Sequence, residues 1–221
     1  MDSKALFVNV LTFSRVPFIL GWMALAIVQA YLPVSAAKCC LASASFWTAW
    51  AAGAFMFASG LTDLFDGKLA RKWNVVTPLG KMADPLMDKV FYVVTFPTIT
   101  WLLARQGEGE AHALLMLGFT ILYILRDLWV TFMRSVGSQF GADGAAMWLG
   151  KVRTALSFPA AGWIYAYATL HVFVPENSAW RDWWLYLTYA VEAFMIVLNF
   201  WSTVTYTRVY LPYLKKALER K

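Results

Sequence analysis

Cysteine and histidine are nearly absent from this chain, with two of each among 221 residues. Cys39 and Cys40 are adjacent, which excludes a disulfide framework and a thiolate zinc site. They read as bystanders beside a membrane surface. His112 and His171 have no partner at a metal-ligand spacing and are assigned no catalytic or metal role. Charge is scarce as well: charged residues make up 14% of the chain against 60% hydrophobic, which lies outside the composition of a soluble domain. Internal repeats and low-complexity tracts are lacking. The first apolar stretch has a single Lys4 before it and no convincing small-residue cleavage site after it, so it reads as a retained helix.

What is present is apolar sequence in long runs. A bilayer crossing takes about 20 helical residues, and stretches of that order lie near 7–31, 43–62, 86–104, 112–133, 155–174 and 184–207. They predict an all-α integral membrane protein with six transmembrane helices, organised as a single membrane domain over residues 1–221. Polar breaks separate the runs at 32–42, 105–111, 135–150 and 175–182, with a charged turn over 68–81.

The formal net charge is +6, but the basic residues follow membrane topology rather than a nucleic-acid footprint. With both termini inside, the inner segments hold Lys4, Lys68, Arg71, Lys72, Lys81, Arg126, Arg134, Lys151, Arg153, Arg208, Lys215, Lys216, Arg220 and Lys221. The outer segments hold only Lys38, Arg105 and Arg181, the asymmetry expected of the positive-inside rule. Arg15 and Lys89 fall inside spans. Trp180, Trp183 and Trp184 are placed at the outer interface, and Tyr206, Tyr210 and Tyr213 at the inner one, where amphipathic aromatics are favoured.

Four carboxylates stand out in one short window: Asp63-x2-Asp66-Gly67-x2-Ala70-Arg71-x8-Gly80-x3-Asp84-x3-Asp88. The second span is expected to continue through Asp63 to about Arg71, and the third to begin near Pro78, since proline suits a first helical turn. At about 100° per residue, Asp63 and Asp66 lie roughly 60° apart around their helix, and Asp84 and Asp88 roughly 40° apart around theirs. Each pair shares a face, and opposed faces bring all four carboxylates to one centre.

Carboxylates at such spacing in an apolar setting repel one another and need a cationic partner. Two partners stay open at this point: a divalent metal site, or ion pairs with Lys68, Arg71, Lys81 and Lys89. Hard oxygen ligands suit Mg²⁺ or Mn²⁺, ions that keep positions for substrate phosphates. Gly67, Ala70 and Gly80 leave room for a bulky polar ligand near the backbone. An ion carrier is a further class of reading, but a carrier needs access from both faces and these aspartates gather toward one. Lys89 points about 100° away from Asp88, so pairing with another helix or the interface is expected of it rather than catalysis.

This pattern resembles the signature of the CDP-alcohol phosphatidyltransferases at every fixed position. The resemblance implies six transmembrane helices, a cytoplasm-facing polar cavity, usually a homodimer, and two divalent ions engaging the diphosphate of a CDP-linked lipid. It implies Asp63, Asp66 and Asp84 as metal ligands, Asp88 as general base beside the metals, and Gly67, Ala70, Arg71 and Gly80 as the CDP pocket. Weaker matches extend over most of the chain: Asn9-Val10-Leu11-Thr12-x2-Arg15, Ala83-Asp84-Pro85-Leu86-x-Asp88-Lys89, Arg126-Asp127 with Arg134, and Gly150-Lys151-Val152-Arg153-Thr154.

Those matches are similar to the bacterial inner-membrane branch of the family that moves the phosphatidyl group of CDP-diacylglycerol to sn-glycerol 3-phosphate. Asp127 and Ser157 depart from it, standing where Glu and Gln are usual. Phosphatidylglycerol, inositol phosphate and serine are the alternative acceptors. An anionic acceptor needs cations of its own, and Arg126, Arg134, Lys151 and Arg153 are the candidates. Arg15 is the candidate for the CDP diphosphate, with snorkelling to the interface as its other reading.

Overall fold

The computed structural model describes residues 3–33, 43–106, 110–142 and 147–219; Cys39 and Cys40 lie outside them. The described residues are helical throughout: α1 (Ser3–Phe13), α2 (Arg15–Tyr31), α3 (Ala44–Lys72), α4 (Pro78–Gln106), α5 (Glu110–Gln139), α6 (Trp148–Leu170) and α7 (Ala179–Glu219), with a 3-10 turn over His171–Phe173. Only Ser14 interrupts α1 and α2, so the described residues form six rods.

Four rods are long and apolar enough to cross a membrane: Ser3–Tyr31, Pro78–Gln106, Glu110–Gln139 and Ala179–Glu219. The expectation of six is met in length but not in composition. α3 and α6, at 29 and 23 residues, carry the polar residues Thr62, Asp63, Asp66, Lys151, Arg153, Thr154 and Ser157 along with many small ones. Helices also outrun the apolar stretches that announced them. α6 starts at Trp148 and α7 runs 41 residues without a break, because charged residues can continue a helix that hydropathy says has ended.

Aromatic packing forms the centre. Tyr92, Phe96, Phe119 and Tyr123 from α4 and α5 meet at ring separations of 4.7–5.8 Å, within the range that favours offset and edge contacts. Trp22 from α2 is fully buried against Tyr165 of α6. Leu114, Ile121, Leu125, Leu128, Phe194, Val197 and Phe200 lie on the outside, a contiguous apolar surface of the kind that faces lipid.

The turn between α3 and α4 is fixed at both ends. Asn74 takes a left-handed φ of 55°, a conformation asparagine tolerates. The Asn74 N–H then donates to Arg71 O at 3.3 Å and the Val75 N–H to Ala70 O at 3.0 Å, closing the last turn of α3. Thr77 caps α4 by accepting the Gly80 N–H at 3.0 Å, and its hydroxyl donates to Asn9 Oδ1 of α1 at 2.9 Å. A Cβ at Gly80 would stand 3.1 Å from the Thr77 hydroxyl and 3.3 Å from Asn9 Oδ1, so glycine lets α1 approach this turn.

The inner aromatic belt expected of Tyr206 and Tyr210 is not what forms. Both are buried, with Tyr210 packed where a Gly137 side chain would be and the Tyr206 hydroxyl 2.5 Å from where a Gly150 Cβ would be. The Tyr206 hydroxyl also accepts the Met147 N–H at 2.9 Å. Two glycines on α5 and α6 therefore admit α7, and enlarging either would cost about 1–3 kcal/mol by overpacking. Trp180 and Trp183 do remain exposed, as an interfacial position requires.

Candidate active site

The facing pairs of aspartates come together as their helical phase requires. One ligand oxygen from each of Asp63, Asp66 and Asp84 lies within 4.8 Å of the others, the group of metal-ligating side chains found among the described residues. At their centre is a residue from a third rod. The Arg15 Nη2 atom stands 2.5 Å from Asp63 Oδ1, 2.7 Å from Asp66 Oδ2 and 2.8 Å from Asp84 Oδ1, and Nη1 is 3.3 Å from Asp88 Oδ1. Arg15 does not snorkel: it is buried and points into the cluster. The Thr12 hydroxyl, one turn earlier, donates to Asp66 Oδ2 at 2.8 Å.

Exposure separates the four carboxylates. The Asp66 side chain is 6% exposed, against 43%, 56% and 38% for Asp63, Asp84 and Asp88. Asp66 is the anchor, tied to α1 and α2, and the other three reach open space. One guanidinium faces four carboxylates, so the centre keeps an excess of negative charge. Its oxygens are hard donors already drawn around one positive group. That donor set fits a divalent ion, with Asp63, Asp66 and Asp84 as the residues able to hold it.

Two cavities flank the cluster. One of about 220 Å³ is lined by Asn9, Thr12, Asp66, Gly67, Ala70, Arg71, Thr77, Gly80 and Asp84. All four residues assigned to the CDP pocket line it. The other, of about 340 Å³, is lined by Arg15, Asp63 and Asp88 together with Tyr92 and Thr154 and is otherwise mostly apolar.

A second charged cluster adjoins Tyr123, whose ring meets that of Tyr92 at 5.0 Å. Asp127 Oδ1 accepts from Arg126 Nη1 at 2.9 Å and from Arg153 Nη1 and Nη2 at 2.9 and 2.8 Å. Arg153 also donates to Asn199 Oδ1 at 3.0 Å and stacks on Tyr123 at 3.9 Å. Arg126 donates to the Ser202 hydroxyl and lies over the Tyr206 ring, and its Nε is buried without a partner. Here two guanidinia share one carboxylate, leaving an excess of positive charge.

The structure thus unites Arg126 and Arg153, while Lys151 is exposed at the start of α6 and Arg134 is half-buried further along α5. Each of the three guanidinium nitrogens of Arg153 donates to Asp127 or Asn199, which fixes the plane of the group. Asn199 and Ser202 escaped the sequence reading, which took Tyr206 only as an interfacial aromatic. Their signal was available: polar residues at i, i+3 and i+7 along an apolar span mark one helix face, and polar groups within a span ordinarily face a partner.

Lys89 behaves as expected, donating to Thr131 Oγ1 of α5 at 2.9 Å. His112 and His171 are buried away from both clusters. His112 Nε2 is 3.0 Å from Glu192 Oε1, and the His171 nitrogens lie 2.7 and 3.0 Å from the carbonyls of Tyr167 and Gln106. The aspartates pair with Arg15, which was not among the residues expected of an ion-pair network; of those, Lys68 and Arg71 are exposed and Lys89 turns to Thr131.

The chain matches the CDP-alcohol phosphatidyltransferase family over residues 6–194. Curated relatives include the CDP-diacylglycerol–glycerol-3-phosphate 3-phosphatidyltransferase of Escherichia coli strain K12 and that of Shigella flexneri serotype 5b. Each is 27% identical over 180 residues, covering 80% of this chain and 81% of the relative.

Proposed function

The chain belongs to the CDP-alcohol phosphatidyltransferase family, and from that premise we propose that it transfers the phosphatidyl group of CDP-diacylglycerol to sn-glycerol 3-phosphate, giving phosphatidylglycerophosphate and CMP. The observation that carries the reading is the pairing of two clusters with opposite charge excess, one rich in carboxylates and the other in guanidinia, linked through the contact of Tyr92 with Tyr123. The first suits a metal-bound diphosphate and the second a phosphorylated acceptor. The names of the relatives support the acceptor.

Asp63, Asp66 and Asp84, with Asp88 beside them, would hold two Mg²⁺ or Mn²⁺ ions. When bound, the ions neutralise charge on the diphosphate and on the departing CMP phosphate, the main requirement of phosphoryl transfer. Gly67, Ala70, Arg71 and Gly80 bind the CDP moiety in the smaller cavity, and Arg15, which lines the larger cavity with Asp63 and Asp88, is assigned to the diphosphate. Arg126 and Arg153, the two that meet at Asp127, are assigned to the acceptor phosphate, with Arg134 and Lys151 on the same two helices supplying further positive charge.

Asp88 accepts the proton of the acceptor's 1-hydroxyl. The oxygen attacks the lipid-side phosphorus as the bond from that phosphorus to the CMP oxygen breaks, and the proton held by Asp88 is then released to water. The enzyme acts as a homodimer of single-domain, six-span protomers in a bacterial cytoplasmic membrane. Both termini and the carboxylates face the cytoplasm, as the distribution of Lys and Arg favours.

The test is CMP release by purified protein with CDP-diacylglycerol and Mg²⁺ or Mn²⁺, comparing glycerol 3-phosphate, inositol phosphate, serine and phosphatidylglycerol. Selective turnover with glycerol 3-phosphate is expected. Preference for another acceptor would keep the donor half of the reading and overturn the acceptor half.

A further inference from the structure

His171 stands just past the end of α6 and is 1% exposed. Both of its ring nitrogens face carbonyl oxygens: Nδ1 is 2.7 Å from Tyr167 O and Nε2 is 3.0 Å from Gln106 O. A neutral imidazole has one N–H and one bare nitrogen, so either tautomer would press a lone pair against a carbonyl oxygen. Only the imidazolium donates to both.

The surroundings suit that charge. Tyr167 lies in the last turn of α6 and Gln106 is the last residue of α4, so two helix C-termini turn their negative ends to the ring. The Tyr167 ring stacks on it at 5.0 Å and 18°, presenting a π face to the cation. Burial disfavours the charge, which makes the proton depend on these contacts. The neighbouring ionisable groups are engaged elsewhere. His112 of α5, 5.5 Å from the Tyr167 ring, pairs with Glu192 of α7. Arg105 of α4 turns to Ala30 O and the Tyr31 ring, and α3 has no ionisable side chain before Asp63.

The bond to Gln106 belongs to a longer chain. Gln106 Nε2 donates to Gln29 Oε1 at 3.2 Å, and Gln29 Nε2 to Ser45 Oγ at 3.1 Å. Phe173, two residues on, packs edge-on against Phe46 at 5.4 Å. His171 therefore closes a belt across α6, α4, α2 and α3. Ser45 lies roughly 27 Å along α3 from Asp63, at about 1.5 Å per residue, so the belt ties the rods at the end remote from the carboxylates.

We infer that His171 is a buried imidazolium and a proton-dependent lock on that end of the bundle. Without its second proton the ring keeps the shorter bond within α6 and gives up Gln106, and the link from α6 to α4 opens. An unfolded histidine releases its proton near pH 6.5. The folded chain holds it above that value, so stability at this site is full at lower pH and falls as pH rises. On the topology proposed above, this end faces the outer compartment; the lock itself does not depend on that reading.

The experiment is solid-state NMR of wild-type protein in bilayers, labelled with ¹⁵N histidine and ¹³C-carbonyl glutamine. The contact of Nε2 with the Gln106 carbonyl identifies His171 without a variant. Two protonated ring nitrogens are expected at about pH 7.5, one unit above the ordinary value, with loss of the contact when the proton leaves at higher pH. A bare ring nitrogen at that pH, or a contact that survives deprotonation, overturns the lock. Thermal unfolding gives a second reading: above about pH 6.5 the wild-type midpoint should fall more steeply than that of His171→Gln, and parallel curves overturn the lock.

Discussion

Arg15 and Asp127 are mirror images. At the first, one guanidinium is surrounded by four carboxylates; at the second, one carboxylate is held by two guanidinia. Both sit in a protein with little charge to spare, and neither is balanced. The buried His112–Glu192 pair is the contrasting case, one partner to one and with both side chains at most 2% exposed. A balanced, enclosed pair is a structural element, whereas an unbalanced cluster opening on a cavity is a place for a ligand of the opposite sign. By that criterion the Arg15 centre, which lines a cavity, suits a cation, and the positive excess at Asp127 suits the anionic acceptor proposed above.

The comparison breaks first at the carboxylate centre. Asp88→Asn should lower kcat by about 10²–10⁴-fold, the usual contribution of a general base, while metal binding, followed by Mn²⁺ paramagnetic resonance, persists. Full turnover in this variant would remove Asp88 from its role. At the other centre, Asp127→Asn leaves Arg126 and Arg153 without their shared counter-charge. Because those arginines are buried, thermal unfolding should show a loss of about 3 kcal/mol. A loss below ~1 kcal/mol would mean that solvent already neutralises them.

Smaller effects sharpen the account. Gly80→Ala places a methyl group 3.1 Å from the cap of α4 and 3.3 Å from Asn9, and should raise KM for the CDP donor by about fivefold to tenfold, the low end of the 1–3 kcal/mol range of an overpacked contact. A change in kcat alone would separate that wall from nucleotide binding. Lys89→Met removes one exposed hydrogen bond to Thr131 and should alter stability by less than about 0.5 kcal/mol, with turnover unchanged.

Much of the carboxylate centre was legible in sequence because its information is local. Asp63, Asp66, Asp84 and Asp88 lie within one helical hairpin, so helical phase and a proline at position 78 suffice to bring them face to face. Position 15 is 48 residues from Asp63 and 73 from Asp88, and no periodicity announces that a span's lone arginine turns inward. The Asp127 cluster needs α5, α6 and α7 at once, which is a matter of packing. Tyr206 and Tyr210 misled for a related reason: at the end of a span an aromatic fits a membrane interface by type, and only the glycines opposite, Gly137 and Gly150, show that it fits a helix contact better. Hydropathy likewise marks where a span is apolar rather than where its helix ends, hence the longer α6 and α7.

The most direct test of the two-centre account is the effect of Arg126→Gln on the two KM values. The account predicts a rise of about tenfold or more in KM for glycerol 3-phosphate, the loss expected for a charged hydrogen bond, with KM for CDP-diacylglycerol unchanged. A rise confined to CDP-diacylglycerol, or an equal rise in both, would contradict it.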